Sequence, residues 1–378
     1  MSKSAAMLLV LVFLTASCLI AALPANAVSK TLVVPDEYPT ISSAIGNATA
    51  GDTVFVKKGT YEEETLQISK TLSLVGEDAN STTINLHPPY NVTYILTTPF
   101  FSYSNAITII ANEVRLSNLT IGIHPPGGFI SATGDRIQIT GNNITTGPET
   151  GLSISGSYCN ITENTSDGLI GLSGSSNMIA RNCFSKISIS GDSNAISDNI
   201  CWNVDLSNAN HNVIFGNKIG APMDIHMGVY VAGNSSYNVF YGNSIAGYTD
   251  LVSFRGASAE NNTFYHNNFI GKYDNLIYVY INNWAGARNF WDNGREGNFW
   301  DDYNGTDGNR DGVGDTPYVI DNDNVDSYPL MAPYDIENDS IVLPPPEPFP
   351  TTLVIAASIA LAVAVGIVLL VYFRKRNH

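Results

Sequence analysis

The sequence predicts an all-β chain wound as a parallel β-helix, capped at both ends and followed by one membrane span. Three observations predict it. The central region has almost no helical periodicity and shows short alternating runs broken by Asn, Gly and Ser, the pattern of short strands. A six-residue motif ending in Asn recurs every 17 to 26 residues, the size of a stacked unit rather than of a globular core. Around each of those asparagines, two apolar positions stand an odd number of residues apart, which one straight strand cannot bury together.

The chain opens with MSKSAAMLLVLVFLTASCLIAALPANA. Lys3, the apolar run Ala5 to Leu23 and the small-x-small triplet Ala25-Asn26-Ala27 predict a signal peptide over residues 1–27. The β-helix is expected over 28–295. Its first coil is a sheet edge that needs a cover. TISSAIGNATAGD (40–52) supplies a short amphipathic helix over about 40–47, with Thr40 as N-cap and Ile41, Ala44 and Ile45 on one face.

The motif reads NMIARN (177–182), NAISDN (194–199), NVIFGN (212–217), NVFYGN (238–243) and NTFYHN (262–267), with weaker copies IQITGN (137–142) and CNITEN (159–164). Its final asparagines are Asn142, Asn164, Asn182, Asn199, Asn217, Asn243 and Asn267. Three residues earlier stand Ile139, Ile161, Ile179, Ile196, Ile214, Phe240 and Phe264. Two residues later stand Ile144, Ser166, Phe184, Cys201, Ile219, Ile245 and Phe269. Both positions can face a core only if the chain bends near the Asn. Each unit is therefore strand, corner, strand, with the asparagines stacked as a ladder along the corner. About ten to twelve coils rising roughly 4.8 Å each would make a rod on the order of 50 Å long.

From Asn289 the repeat is expected to break, and residues 296–335 form an acidic C-terminal cap. The duplicated NFWD (289–292 and 298–301) suits cap packing. The proline run PPPEPFP within 336–350 predicts a stiff stalk. Residues 351–373 carry no charge and are long enough to cross a bilayer. Arg374-Lys375-Arg376 then fixes the 374–378 tail in the cytoplasm. These features place the domain at the cell surface as a single-pass membrane protein.

The chain has 34 acidic and 18 basic residues, for a net charge of −16. Such a surface disfavours nucleic acid and anionic lipid as partners. Cys159, Cys183 and Cys201 are too few and too odd in number for a disulfide framework. Sequons at Asn47, Asn80, Asn91, Asn234 and Asn304 are candidate glycosylation sites where exposed.

VVPDEYPTISSAIGNATAGDTVFVKKGTYEEETLQISKTLSLVGED (33–78) resembles the opening of pectin-lyase-like right-handed β-helix proteins. The asparagine coils resemble the NosD branch, found in archaeal surface proteins. GNFWDDYNGTDGNRDGVGDTPYVIDNDNVDSYPL (297–330) is similar to the segment that closes many of them. The resemblance covers about Thr31 to Pro333 and implies a right-handed winding. It implies function far less: the branch's namesake helps deliver copper to a periplasmic enzyme, while relatives bind or cut polysaccharides.

Three functions are compared with the residues. β-Helical hydrolases need carboxylates converging on neighbouring coils, and lyases need calcium and a base. The G-H-G and R-I-K motifs of polygalacturonase-like proteins are missing, and Asp167, Asp192, Asp198, Asp205, Asp224 and Asp250 occupy different repeat positions. Copper handling needs soft ligands. Met223, His226 and Met227 are the densest set, but strand alternation turns His226 away, and Cys183 and Cys201 are expected to point to opposite sides. Glycan binding needs exposed aromatic rings. In LIYVYI (276–281), Tyr278 and Tyr280 would face outward beside Trp284.

DGNRDGVGD (307–315) follows the first half of a calcium loop. Asp307, Asn309, Asp311, the Val313 carbonyl and Asp315 would offer oxygens around the turn at Gly312. Tyr318 stands where a bidentate Glu belongs. A solvated acidic loop and a catalytic cluster are the other readings. Between Asp301 and Asp339 there are eleven acidic residues and one basic one, so a cation would relieve their repulsion. The sequence thus predicts a non-catalytic surface scaffold, adhesion or carbohydrate-binding protein with structural Ca2+, facing a cell-surface glycan or surface-layer protein. A polysaccharide lyase or glycoside hydrolase is the alternative and NosD-like copper handling the third.

Overall fold

The computed structural model describes residues 29–95, 98–124, 127–147, 150–220, 227–247, 250–255, 258–271, 280–283 and 286–336. Among these no helix is long and apolar enough to cross a membrane. The expected signal, stalk and span lie outside the described residues. Residues up to Ile336 group as one compact unit.

That unit is a parallel β-helix. One face is an 11-stranded sheet in which consecutive coils are hydrogen-bonded neighbours, from Thr31–Val34 at one end to Thr263–Tyr265 at the other. A 19-stranded sheet supplies the other faces. The pairing is parallel and in register: Ile161, Ile179, Ile196, Ile214, Phe240 and Phe264 lie opposite one another down the first sheet. All six are fully buried, because alternate strand residues point inward. Phe184, Cys201, Ile219, Ile245 and Phe269 line the next face and are also buried.

Towards the C-terminal end the core turns aromatic. Phe240 stacks on Phe264 at 4.4 Å between ring centroids, and Phe264 on Trp291 at 4.6 Å. Phe269 stacks on Trp300 at 4.4 Å, and Trp300 on Tyr318 at 4.2 Å. Rings as large as these close the end of the stack, where no further coil covers it.

The corners explain the motif. The residue before each ladder asparagine is left-handed: Glu163, Arg181, Asp198 and His266 have φ of 59°, 55°, 55° and 57°, and Gly216 and Gly242 take the same turn. Only that bend swings the next strand onto the second sheet, and non-glycine residues adopt it at a steric cost. The carboxamides repay it. Nδ2 of Asn142, Asn164, Asn182, Asn199 and Asn217 each donates to Oδ1 of the next ladder Asn at 3.0 Å, and Asn243 donates to Asn267 at 2.9 Å. The same Oδ1 accepts a backbone N–H, as Asn217 does from Asn199 at 2.9 Å. The second Nδ2 hydrogen reaches a carbonyl one coil back, as from Asn217 to Ile196 at 2.8 Å. These ladder carboxamides thus keep the polar groups of their corners paired, whereas Asn177 Nδ2, at the other end of the strand Met178–Ala180, is buried without a partner among the described residues.

A second ladder flanks the same strands on their other side. Asn194 donates to Asn212, Asn212 to Asn238 and Asn238 to Asn262 at 3.0, 3.0 and 2.9 Å. At the third bend a glycine column lets the coils touch: a Cβ on Gly156 or Gly174 would meet the carbonyl oxygen of the glycine below at 1.8 or 1.9 Å.

The helix Ile41–Asn47 covers the first coils with Ile41, Ala44 and Ile45 buried. Thr40 Oγ1 accepts the Ser43 N–H at 3.1 Å, and Glu63 Oε1 accepts the Ile41 N–H at 2.6 Å. Lys70 Nζ donates to the Gly46 and Ala48 carbonyls at the other end, at 2.9 and 2.7 Å. Both helix ends are therefore satisfied, largely from the coil they cover.

The boundary at 295 is corrected. The ladders run on through Asn289 and Asn298, and Phe299–Trp300 pairs in parallel with Asn268–Phe269. The longer loops here, 31 residues from Asn267 to Asn298, hide the period. A second departure is the antiparallel hairpin of strands Tyr90–Ile95 and Thr98–Tyr103, which interrupts the winding.

Replacing a central rung, Asn217→Ala, strands buried donors on Asn199. It should cost about 2 to 4 kcal/mol. Urea unfolding compared with the exposed Asn234→Ala checks this, and equal midpoints would contradict the ladder's role.

Candidate functional site

In the outward column of the second sheet, Ser188, Asp205, Tyr230 and Ser253 are successive register partners. Lys186 and Asn203 are partners one step to the side, and Arg255 follows Ala232 on the other flank. Strand alternation projects Lys186, Ser188, Asn203, Asp205 and Tyr230 outward while Ile187, Val204, Val229 and Val252 stay in the core; Ser253, in the same column, is covered.

Lys186 forms an ion pair with Asp205. Asn203 Nδ2 donates to Asp205 Oδ1 at 3.3 Å. The Arg255 guanidinium lies 5.7 Å from the Tyr230 ring centroid, a cation–π distance that steadies the ring. Ser253 is fully buried, and its Oγ finds no hydrogen-bond partner among the described residues. The patch thus spans four coils, about 14 Å at the strand spacing. It offers a cation, a carboxylate, an amide and an aromatic face in one line. Among the described residues it contains one carboxylate, whereas hydrolysis of a glycosidic bond ordinarily takes two.

Among the described residues, Asp205 is the one of the scattered carboxylates that lies in this column. Asp167 Oδ1 accepts the Thr146 N–H at 2.9 Å and Asp192 Oδ1 the Asn210 N–H at 2.7 Å, both holding turns. Asp198 occupies a left-handed corner, Asp250 begins the strand that ends at Arg255, and Asp224 is outside the described residues. Lys186, Asn203, Tyr230 and Arg255 did not stand out in the sequence. Lys186 and Asn203 follow Asn182 and Asn199 by four residues each, a signal that could have found them. Tyr230 follows Asn217 by thirteen, because extra residues break the count.

Tyr278 and Trp284 lie outside the described residues. Tyr280 opens the strand Tyr280–Asn283 and is the register partner of Asp250. Trp291 and Trp300 are core residues, each 1% exposed. Cys183 is exposed and Cys201 buried, so the two thiols diverge, and burial pushes the Cys201 thiol up. Met223 and His226 are outside the described residues. The five sequon asparagines 47, 80, 91, 234 and 304 are all exposed.

In the 307–315 loop, Asp307 Oδ1 accepts the Arg310 N–H at 2.6 Å and Oδ2 the Gly312 N–H at 2.9 Å. Asn309 Nδ2 donates to Asp311 Oδ2 at 2.8 Å, Asp311 Oδ1 accepts the Val313 N–H at 2.9 Å, and Asp315 Oδ2 accepts the Gly308 N–H at 2.7 Å. Gly312 has φ 89°, the sharp turn such a loop requires. Gly314 N–H donates to the Pro329 carbonyl at 2.8 Å and ties the loop to the cap. The oxygens suit calcium in kind, and their partners are the loop's own amides. Among the described residues no three His, Cys, Asp or Glu side chains gather as a metal cluster.

The same cap ends both ladders. Asn324 Oδ1 accepts the Asn289 N–H at 2.9 Å and Trp291 Nε1–H at 3.1 Å. Asp326 Oδ2 accepts the Asn298 N–H and Trp300 Nε1–H, both at 2.8 Å. The duplicated NFWD is thus a rung asparagine followed by a tryptophan that bonds the next rung. A terminal rung needs only acceptors, which is why Asp can serve. Burial pushes the Asp326 carboxyl up to about 6, against the pull of these N–H donors.

No family model matches the chain, and no curated protein matches its sequence. Among solved structures it is similar to the pectin methylesterase PemA from Erwinia chrysanthemi, at 14% identity and TM-score 0.37, over 61% of this chain and 81% of that one. A rice weevil pectin methylesterase gives 15% and 0.37, over 64% and 80%. The PL6 family alginate lyase AlyGC gives 12% and 0.39, over 83% of this chain and 58% of that one. At these scores the similarity says nothing of chemistry.

Because the folded Asp326 carboxyl titrates above its ordinary value of 3.8, its contribution is greatest below pH 4 and is lost as pH rises through 6. The loss should amount to about 3 kcal/mol. Denaturant midpoints at pH 4 and 7 should show Asp326→Asn gaining that much on the parent across the interval. An unchanged gap would contradict it.

Proposed function

We propose that this chain is a membrane-anchored, right-handed β-helix protein of the cell surface that binds carbohydrate without cleaving it. The observation that carries the reading is the outward line of Lys186, Asp205, Tyr230 and Arg255. An aromatic face stacks on a sugar ring, while Asp205, Asn203 and Lys186 on adjacent coils offer acceptors and donors to its hydroxyls. Regular strand spacing suits an extended polymer with repeating contacts, as found in a surface glycan or a glycosylated surface-layer protein. Tyr278, Tyr280 and Trp284 remain candidate stacking rings on the sequence pattern alone. In the same reading, Asp307, Asn309, Asp311, the Val313 carbonyl and Asp315 hold a structural calcium ion that neutralises the cap.

Retention of the protein on a panel of neutral and acidic polysaccharides tests the binding, read together with the appearance of reducing or unsaturated ends. Retention without new ends is expected. Tyr230→Ala should weaken it roughly tenfold, the scale of a lost stacking contact. New ends would show an enzyme instead, and no retention on any polymer would remove the glycan.

Calcium is tested separately by melting. A chelator should lower the melting temperature of the parent and leave Asp311→Ala unchanged. An Asp311→Ala protein that melts like the parent with and without chelator would rule the ion out.

A further inference from the structure

The first strands of a solenoid leave open edges, and this chain closes one of them itself. In the strand Thr31–Val34, the Val33 carbonyl accepts the Glu37 and Tyr38 N–H groups at 2.9 and 3.3 Å, and the Val33 N–H donates to Glu37 Oε2 at 3.4 Å. The strand Leu66–Ile68 has no such turn. Its ladder runs to Ile107–Ile109. The Leu66 N–H donates to the Ala106 carbonyl at 2.9 Å, and the Ile68 carbonyl accepts the Ile110 N–H at 3.0 Å. Successive peptide groups of a strand point to opposite sides, so the N–H and C=O of Gln67 point away from that ladder. Neither has a partner among the described residues.

A helix rather than a strand lies beside this edge. Between Ile41–Asn47 and Leu66–Ile68 runs an open cleft of about 250 Å3. Ser42, Ile45 and Gly46 line it from the helix, and Thr65, Gln67 and Ser69 from the strand. A Cβ on Gly46 would meet nothing within 4 Å. The side chains of Thr65, Gln67 and Ser69 are exposed and make no hydrogen bond among the described residues. Lys70 is the cation of the lining and is already engaged. Its Nζ donates to the Ile45, Gly46 and Ala48 carbonyls at 3.3, 2.9 and 2.7 Å, which uses all three hydrogens. The Ser42 hydroxyl donates to Glu63 at 2.5 Å.

We propose that this cleft is a docking groove for an uncharged, extended peptide, which adds a strand to the edge at Gln67. The free N–H and C=O of Gln67 stand together on one edge, the pattern that another main chain completes. A sugar has hydroxyls but not that alternation of amide donor and acceptor. An anion finds no free positive group in the lining, and a divalent cation finds no carboxylate there. The Gln67 carboxamide and the Thr65 and Ser69 hydroxyls are left to bond the polar side chains of the peptide. The helix forms the opposite wall, and the bare Gly46 leaves room for a side chain from the added strand. The groove is separate from the glycan strip. Five successive pairings, about 24 Å, lie between Gln67 and Ser188 in the same sheet.

The test selects a displayed library of random octapeptides on the full chain and measures the enriched peptides, made synthetically, by fluorescence polarisation. Uncharged sequences should be enriched. N-methylation at alternate residues should abolish binding and at the residues between should be tolerated, the mark of a strand bonded along one edge. Gln67→Pro removes only an N–H on the open side, so it should keep the parent's melting temperature and weaken binding roughly tenfold, the scale of one lost backbone bond. Gly46→Leu, which narrows the cleft from the helix, should weaken it as well. No enriched peptide would overturn the proposal. So would N-methylation tolerated at every residue, or parental affinity in both variants, which would place the peptide elsewhere.

Discussion

Each coil must carry its backbone around inward-facing corners without leaving a buried amide unpaired, and the rest of the structure depends on how that is done. A left-handed residue makes the turn, and the next residue's carboxamide satisfies it. Asparagine suits the place because it has one acceptor and two donors on a short arm. It accepts from the coil on one side and donates to the coil on the other, so the ladder holds direction as well as spacing. A single rung is worth little, but every rung is buried and polar, so its removal is expensive. That asymmetry keeps the coils in register and so lines up the apolar positions between the ladders.

The ladders also set the problem of the ends. At the N-terminal end a two-turn helix covers the apolar cross-section, with Glu63 and Lys70 of the underlying coils engaging its two ends. At the other end the core grows from isoleucine to phenylalanine to tryptophan, and Asn324 and Asp326 accept the last donors. The cap therefore continues the repeat's hydrogen bonding in residues that no longer look like the repeat. Its acidic loop at 307–315 is attached to that construction through Pro329, which is how an ion held there would stiffen the last coil.

Because corners and core are committed to the stack, chemistry is left to the outward strand positions and to the open edge of the first coils. The Lys186–Asp205 pair and the Tyr230–Arg255 pair occupy the first, and the cleft beside Gln67 occupies the second. Neither interferes with the ladder. Such surface positions can vary without cost to the fold, which is why the fold alone does not name the function.

The β-helix, its N-terminal helix and the turning of the chain at Asn142 through Asn267 were legible in the sequence, because buried corners and alternating faces leave periodic marks. The second ladder was present in the same motifs but was not separated from the first, since both asparagines flank one short strand. The end of the repeat was misplaced because insertions near Asn289 and Asn298 stretch the period while the pairing continues. The outward patch was hidden for the same reason: Tyr230 aligns with Asp205 only once the strands are paired. The sequence by itself determined which residues face inward, since burial and hydrogen-bond satisfaction act locally and repeat. Only the tertiary structure decided which outward residues meet, because neighbours on the surface are set by coil stacking, and their distance along the chain changes with every loop.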